Sequence, residues 1–435
     1  MESLWEKNRS IPEFPRLPGD IRTDVLVIGG GMAGLLTAYC LTQKGISVVL
    51  VEKERICSGV TSGTTAKITA QHGLIYHKLL NDCGKEYAQM YHRANARGVE
   101  RLKDLCRKAD CRLEEKDNFV YSSDPMKLEA ELTALQKIGV DAKFTPDIPF
   151  PVEVAGAVGF ANQGQFDPPV LAAYLAKDLT IYEHTKVRAM IGTTAETEHG
   201  KIAAKKVVVA THFPFINKHG SYFLKLYQHR SYLTAWQNTR RIGELYVDDS
   251  QTGYSFSSFG DYFLLGGGGH RTGKQGGSYP ELISFMGRYD ANARECFRWA
   301  TQDTMSLDGI PYIGNYSKHT PDLYVAAGFN KWGMTGSMGS AEILSAMIAG
   351  ETPEDAAVFS PSRSIWKPQL LVNGLESTKN LLTPTPKRCP HLGCALKYNK
   401  EERSWDCPCH GSRFSETGKL LDNPATSDLK NSRSN

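Results

Sequence analysis

The chain lacks a long apolar run. Its longest, Val25 to Leu41, is broken by glycines and falls short of the roughly 20 residues that span a bilayer. An excess of either charge is also missing. Lys and Arg number 51 against 47 Asp and Glu, a net +4, so electrostatics gives no reason to expect a nucleic acid partner. No low-complexity repeat is visible. With 41% hydrophobic and 23% charged residues, the 435-residue chain is neither disordered nor fibrous. The start, MESLWEKNRSIPEF, has no basic segment leading into an apolar one, and the expected compartment is the cytoplasm. Cysteine is scarce: ten in all, too few for a disulfide scaffold. Six are scattered (Cys40, Cys57, Cys83, Cys106, Cys111, Cys296), while four crowd into residues 389–409, which reads as a metal or redox site. The length predicts two or three structural units.

What is present is glycine in clusters. Residues 24–53 read DVLVIGGGMAGLLTAYCLTQKGISVVLVEK. Val25 to Ile28 has the composition of a buried parallel strand, and Gly29-x-Gly31-x-x-Gly34 follows. Leu35, Leu36, Cys40 and Leu41 are the apolar members of a helix that Gly45 ends, and Val48 to Val51 form a second strand closed by Glu52. The first glycine allows the tight turn. The second lets the backbone approach a pyrophosphate, and the third lets helix and strand pack closely. The helix N-terminus offers free N–H groups to phosphates. Glu52 suits a ribose 2′-hydroxyl and would repel a 2′-phosphate. Strand, glycines, helix, second strand and acid in register predict a dinucleotide site.

Farther on, Ser58 to Thr69 (SGVTSGTTAKIT) is rich in small and hydroxyl residues suited to lie along a long cofactor. Ile181 to Val187 and Lys206 to Ala210 read as strands, the latter ending in Ala210-Thr211-His212. Leu323 to Thr335 (LYVAAGFNKWGMT) is again strand, glycine turn and helix N-terminus.

With these segments and the block Asp308 to Gly314 (DGIPYIG), residues 20–355 resemble the glutathione-reductase-type FAD proteins. More narrowly, they are similar to the D-amino-acid oxidase, glycine oxidase and sarcosine oxidase superfamily. The resemblance implies an α/β Rossmann-type FAD-binding fold assembled from discontinuous pieces, about 22–75, 160–214 and 301–352. It also implies an α+β substrate domain on a mostly antiparallel sheet, about 76–159 and 215–300, the whole region ending near 358. It implies FAD held by Gly29, Gly31, Met32, Ala33, Gly34, Glu52, Lys53, Thr65, Ala66, Val187, Ala210, Gly328, Gly333, Met334 and Thr335. No cysteine lies between Thr301 and Gly314, so non-covalent flavin is expected.

In the middle of the chain, Asp124-Pro125 predicts a capped helix with Leu128, Leu132, Leu135 and Ile138 on its core face, stopped by Gly139. Tyr254 to Gly269 (YSFSSFGDYFLLGGGG) predicts strands and a tight turn leading into His270-Arg271. The superfamily places the matching strand end near the flavin. Arg271 is therefore expected to pair with a substrate carboxylate and His270 to serve as acid or base, with a solvated Arg and a hydrogen-bonded loop His as the plain alternative. Lys331 and Trp332 sit on the expected flavin loop, Lys331 as a further catalytic candidate. Arg230, Tyr232 and Trp236 are weaker pocket candidates.

From Phe359 the composition changes. Residues 359–386 read as a proline-containing linker, and then comes RCPHLGCALKYNKEERSWDCPCHGSRF. Cys389-x-His391, fifteen residues, then Cys407-x-x-His410 offer two thiolates and two imidazoles in two loops. The set suits a 2Fe–2S centre with nitrogen on one iron and sulfur on the other. Zinc would accept the same atoms, though the usual zinc-finger order is absent. CPHLGC and CPCHGS closely resemble the two boxes of the Rieske family, which implies a small all-β module over 387–435. Cys394 and Cys409 form a second pair, one per loop, and a disulfide between them would pin the loops. Imidazole ligands would raise the potential toward roughly −150 to +300 mV. Ser412 could hydrogen-bond a cluster sulfur, whereas Phe414, where high-potential members often carry Tyr, should lower the potential. Only a short stretch precedes Cys389, so the module is abbreviated and is expected to lean on the flavin domain for burial.

The combination predicts an FAD-dependent oxidoreductase acting on CH–NH or CH–OH groups of a small amine-like substrate. It would exchange electrons singly, through the cluster, with a separate one-electron carrier. The alternatives are a redox sensor or relay without its own substrate, and a flavoprotein with a structural zinc module.

Overall fold

The computed structural model describes residues 3–7, 11–217, 219–250 and 253–429. Residues 430–435, the end of the expected C-terminal module, lie outside the described residues. No helix among the described residues is long and apolar enough to cross a membrane.

The first sheet is built from distant pieces of chain. Its order is Tyr312–Asn315, Leu323–Ala327, Lys201–Val209, Ile21–Ile28, Val48–Val51, Thr180–Tyr182. Along this path all neighbours run parallel except the Tyr312–Asn315 edge, and the hairpin of Val187–Ile191 and Thr194–Thr197 adds two antiparallel strands beside Lys201–Val209. Val25 to Ile28 are buried because helices or loops cover both faces, which is why that run carries no alternation. The helices Met32–Gln43 and Gly333–Ile348 pack against each other, with Leu35, Leu36, Ala38 and Leu41 wholly buried. The single strand expected over 181–187 is two. Thr180–Tyr182 stays in the sheet, the chain turns at His184 (φ 50°), and Val187–Ile191 starts a hairpin. The break follows from Glu183, whose buried carboxylate accepts the N–H groups of Phe14 and Ile56 and pairs with Arg55.

The second sheet has nine strands and is mostly antiparallel. Arg294–Ser306, Leu226–Gln237, Tyr262–Arg271 and Ser255–Phe259 form one end, and Glu114–Ser122, Gly156–Gln165 and Lys67–Ile68 the other. The expected borders at 160 and 301 fall inside strands of this sheet. The helix Pro125–Ile138 forms as read: Asp124 accepts the Met126 and Lys127 N–H groups, and Gly139 closes it at φ 79°.

The stretch expected as a linker holds a 15-residue helix, Pro368–Leu382. Its approach is anchored. Arg363 pairs with Asp308 and lies 3.8 Å from the Tyr312 ring centre, and Lys225 Nζ donates to the Pro361 carbonyl. Beyond it, four short antiparallel strands (Lys397–Asn399, Ser404–Asp406, Arg413–Ser415, Leu420–Asp422) form the C-terminal sheet.

Candidate functional site

The strand Ile21–Ile28 delivers the glycine turn to the top of the first sheet. Gly29 has φ 111°, and a side chain there would meet the Ala210 carbonyl at 2.5 Å. At Gly34 an added carbon would lie 1.9 Å from the Gly29 carbonyl oxygen, so only glycine lets this helix start so close to the strand. Gly31 differs: its open side meets only the Thr61 hydroxyl, at 3.4 Å. That leaves a cradle beside the N-terminus of Met32–Gln43 which fits a pyrophosphate. The Glu52 carboxylate accepts the Gly30 N–H at 2.7 Å and the Glu54 N–H at 3.0 Å, holding the turn. Burial pushes the Glu52 pKa up, and those N–H groups oppose the rise.

A cavity of about 520 Å³ opens against the second sheet, beside the start of the helix Gly333–Ile348. Thr65, Gly333 and Met334, which the resemblance implies as flavin contacts, line it, and so do Lys67, Tyr227, Asp303 and Lys331. The N-terminus of Gly333–Ile348 opens there. Thr335 instead turns inward, accepting the Thr69 N–H at 2.9 Å. Ala66 (φ 57°) and Gly328 (φ 74°) shape the surrounding loops, Val187 begins its hairpin, and the Ala210 N–H donates to Ile28. Lys53 lies beside Glu52 at the end of Val48–Val51. Burial lowers the Lys331 pKa and raises that of Asp303, and the two charges act on each other against both shifts.

At the other end of the molecule two loops face each other. The Cys389 N–H donates to Cys394, and Cys407 N–H to Ser412, closing each loop on itself. The Cys389 and Cys407 thiols act on each other across the facing loops. Cys407, nearby N–H groups and the Ser412 hydroxyl lower the Cys389 pKa, toward thiolate, against the effect of burial. The His391 and His410 rings lie edge to face, 5.1 Å apart. His410 is buried, and its Nδ1 has no hydrogen-bond partner. An orphaned imidazole nitrogen beside two paired thiols fits a metal centre. Cys394 and Cys409 form a disulfide. Their sulfurs also lie close to Cys407, but being bonded to each other they leave Cys389, Cys407, His391 and His410 as the available ligands.

Comparison with known proteins gives two matches. The family described as FAD dependent oxidoreductase covers residues 24–347, and the Rieske [2Fe-2S] domain covers residues 357–433. The chain belongs to the FAD dependent oxidoreductase family and carries a Rieske [2Fe-2S] domain. YhfW of Bacillus subtilis (strain 168), provisionally named as a Rieske 2Fe-2S iron-sulfur protein, is 30% identical over 494 aligned positions, 99% of this chain and 97% of that protein. The cytochrome b6-f complex iron-sulfur subunit of Nostoc punctiforme is 49% identical over 41 residues, 9% of this chain and 23% of that subunit. Among solved structures, L-proline dehydrogenase from P. horikoshii (TM-score 0.67, 22% identity, 80% of this chain and 98% of that one) shares the fold. So does glycine oxidase from Geobacillus kaustophilus (TM-score 0.66, 21%, 79% and 99%). The cofactors of this oxidoreductase are FAD and a 2Fe–2S cluster.

In this FAD oxidoreductase the Rieske domain is docked directly on the flavin part. Arg271 donates from Nε to the Pro408 carbonyl and from Nη2 to the Cys409 carbonyl, both 2.9 Å, and from Nη1 to Asn373 at 2.8 Å. This corrects the expectation for Arg271: the guanidinium is committed to the cluster loop, and Arg271 does not line the cavity. Past the four glycines the strand leaves the cavity wall and reaches carbonyls that need donors. His270 does not line the cavity either. Its Nδ1 lies 3.0 Å from the Gly268 carbonyl and its ring stacks on Tyr232. The acid–base expectation for it therefore has no geometric support, and the plain alternative describes it. Of the three catalytic candidates, Lys331 is the one that faces the cavity.

Further contacts complete the dock. Gln302 donates to the Gly411 carbonyl at 2.9 Å, Gln228 to that of Asn423 at 3.1 Å, and Asn423 to those of Thr211 and Phe213. Arg230 pairs with Glu402, which Arg413 also holds at 2.8 Å. Phe223 covers His410, ring centres 6.4 Å apart. Gly273 and Gly411 have positive φ and allow the approach: side chains there would meet Pro408 N at 2.6 Å and Gln228 Cβ at 2.5 Å. Sequence reading missed Lys67, Tyr227, Gln228, Asp303 and Gln302; of its weaker pocket candidates, Tyr232 lines the 520 Å³ cavity and Arg230 a second one of about 330 Å³. A weak signal was present in Gln228, His229 and Arg230, consecutive polar residues on a strand that is otherwise largely apolar or aromatic.

Proposed function

We propose that the protein oxidises a small amine or amino-acid-like C–H donor in the cavity and passes the electrons through its Rieske domain to a separate one-electron carrier. One observation carries the reading. Tyr227 lines the cavity, Arg271 lies over its ring at 4.9 Å, and Arg271 grips the carbonyls of the loop bearing Cys407 and His410. Cavity wall and cluster loop are thus one residue pair apart. Bound in these sites, FAD takes two electrons from a C–H bond beside nitrogen or oxygen, and a 2Fe–2S cluster transfers electrons singly.

The residues supply the rest. Gly29, Gly31 and Gly34 would seat the pyrophosphate, and Gly333 and Met334 the ring end. Cys389, His391, Cys407 and His410 would hold the irons, with Cys394–Cys409 pinning their loops. His391 keeps part of its surface open beside exposed Leu392, whereas His410 is covered, so a carrier would meet the module at His391. The names of structural relatives that act on proline and glycine support an amino-acid-like substrate. The expected cytoplasmic placement belongs to this proposal.

The test is anaerobic reduction with a panel of amines, amino acids and hydroxy acids, following flavin absorbance and the Rieske EPR signal together. Flavin bleaching followed by the EPR signal is expected. Bleaching with no EPR signal overturns the coupling.

A further inference from the structure

The helix Pro368–Leu382 packs with its polar face inward. Its buried residues are Asn373 and Asn380. Asn373 Oδ1 accepts from Arg271, Glu376 pairs with Lys274, and the Asn380 carbonyl accepts the Ala395 N–H just past the first cluster loop. At about 100° per residue, Leu371, Leu375 and Leu382 fall on the opposite side, with Val372 and Lys379 beside them. The three leucines are 72%, 73% and 77% exposed, and Trp366, just before the helix, is 83% exposed. The apolar surface continues past the helix end. A side chain on Gly393 would meet Leu381 Cδ2 at 3.9 Å, and Leu392, next to His391, is exposed.

A single exposed leucine needs no account, but an apolar stripe along three turns of helix does. Residues 430–435, outside the described ones, read KNSRSN and are polar throughout, so they offer it no apolar cover. The charge around the stripe is of one sign. Residues 364–400 hold six cations, Lys367, Lys379, Lys387, Arg388, Lys397 and Lys400, against one acid, Glu376, whose carboxylate is already paired with Lys274. Lys379, Arg388, Lys397 and Lys400 are exposed. Two copies of the chain laid face to face would bring these cations together, which disfavours self-pairing. A protein partner would need a groove shaped to the projecting leucines. An anionic bilayer needs no such fit. The leucines and Trp366 would enter the boundary between headgroups and acyl chains, and the lysines and Arg388 would stay among the phosphates.

We infer that this helix face binds the surface of an anionic lipid bilayer, lying on it rather than crossing it, and so brings the loop of Cys389 and His391 to the lipid. The inference does not depend on the reaction proposed above.

The test uses full-length protein carrying both cofactors. It is sedimented with vesicles of phosphatidylcholine alone and with vesicles that also contain roughly 30% phosphatidylglycerol. Binding to the anionic vesicles should be at least about tenfold tighter than to the neutral ones. Tryptophan emission should shift to the blue on binding, and Trp366→Leu should lose that shift. The double variant Leu375→Gln, Leu382→Gln should bind anionic vesicles about tenfold or more weakly, at the parent's flavin and iron content. Equal binding to both kinds of vesicle, or equal binding by the double variant and the parent, overturns the inference. Absence of binding to either vesicle also overturns it and leaves the face to a protein partner. A dimer in sedimentation equilibrium that the double variant abolishes overturns it too, because a second copy then covers the face.

Discussion

The flavin part and the Rieske module are stabilised in different ways. The flavin part buries large continuous apolar clusters around two sheets. In the module the buried hydrophobic residues are Cys389, Cys394, Ala395, Leu396, Cys407, Cys409, Phe414 and Ala425, half of them cysteines. Its strands are three residues long. Such a core is too small to stand on burial alone. It relies on the disulfide, on the metal centre and on the surface it is docked against. Cofactor loss should therefore leave the flavin part folded and cost the module its structure.

The sharpest way to break that comparison is Cys407→Ser. The Rieske EPR signal and the bound iron should fall to background while flavin content stays at the parent level; loss of both together would show that the parts are not separable. The reciprocal change, Gly34→Val, sets a side chain against the Gly29 carbonyl and should abolish flavin binding. Its EPR signal should persist after chemical reduction.

Glu402→Gln comes next. It leaves Arg230 and Arg413 buried without their shared carboxylate, which should cost about 3–5 kcal/mol of docking. A new low-temperature transition in calorimetry, preceding flavin release, would report it. Acid should act on the same contact. Burial alone would raise the pKa of Glu402, but Arg230 and Arg413 hold it below its ordinary value of 4.5. Asp422 is likewise held below 3.8 by Arg413 and Arg230. A carboxylate with a depressed folded-state pKa contributes stability above its unfolded value and loses that contribution as pH falls through the folded one. Docking should be intact near neutrality and weaken below pH 4.5, with Glu402→Gln flattening the profile.

The smallest effect is expected from Arg271→Ala. Flavin reduction by substrate should be unchanged, since the side chain is outside the cavity, while subsequent cluster reduction slows in stopped-flow traces. A defect in flavin reduction instead would restore the carboxylate role first expected of this arginine.

Short windows of sequence determined the glycine turn with Glu52, the Asp124-capped helix and the two cysteine–histidine boxes. In each case the cause is local: a positive φ, a cap, or ligands at a spacing that one loop can present. Tertiary structure alone decided who meets whom. Arg230 finds Glu402 across 172 positions, and Arg271 finds Pro408 across 137. The helix Pro368–Leu382 formed where prolines suggested a linker, because Pro368 opens it at the first turn, where no N–H is needed. Lys67 came to face the cavity only when the fold closed around it. Spacing along a chain reports local geometry, but which buried charge is neutralised depends on residues that only packing brings together.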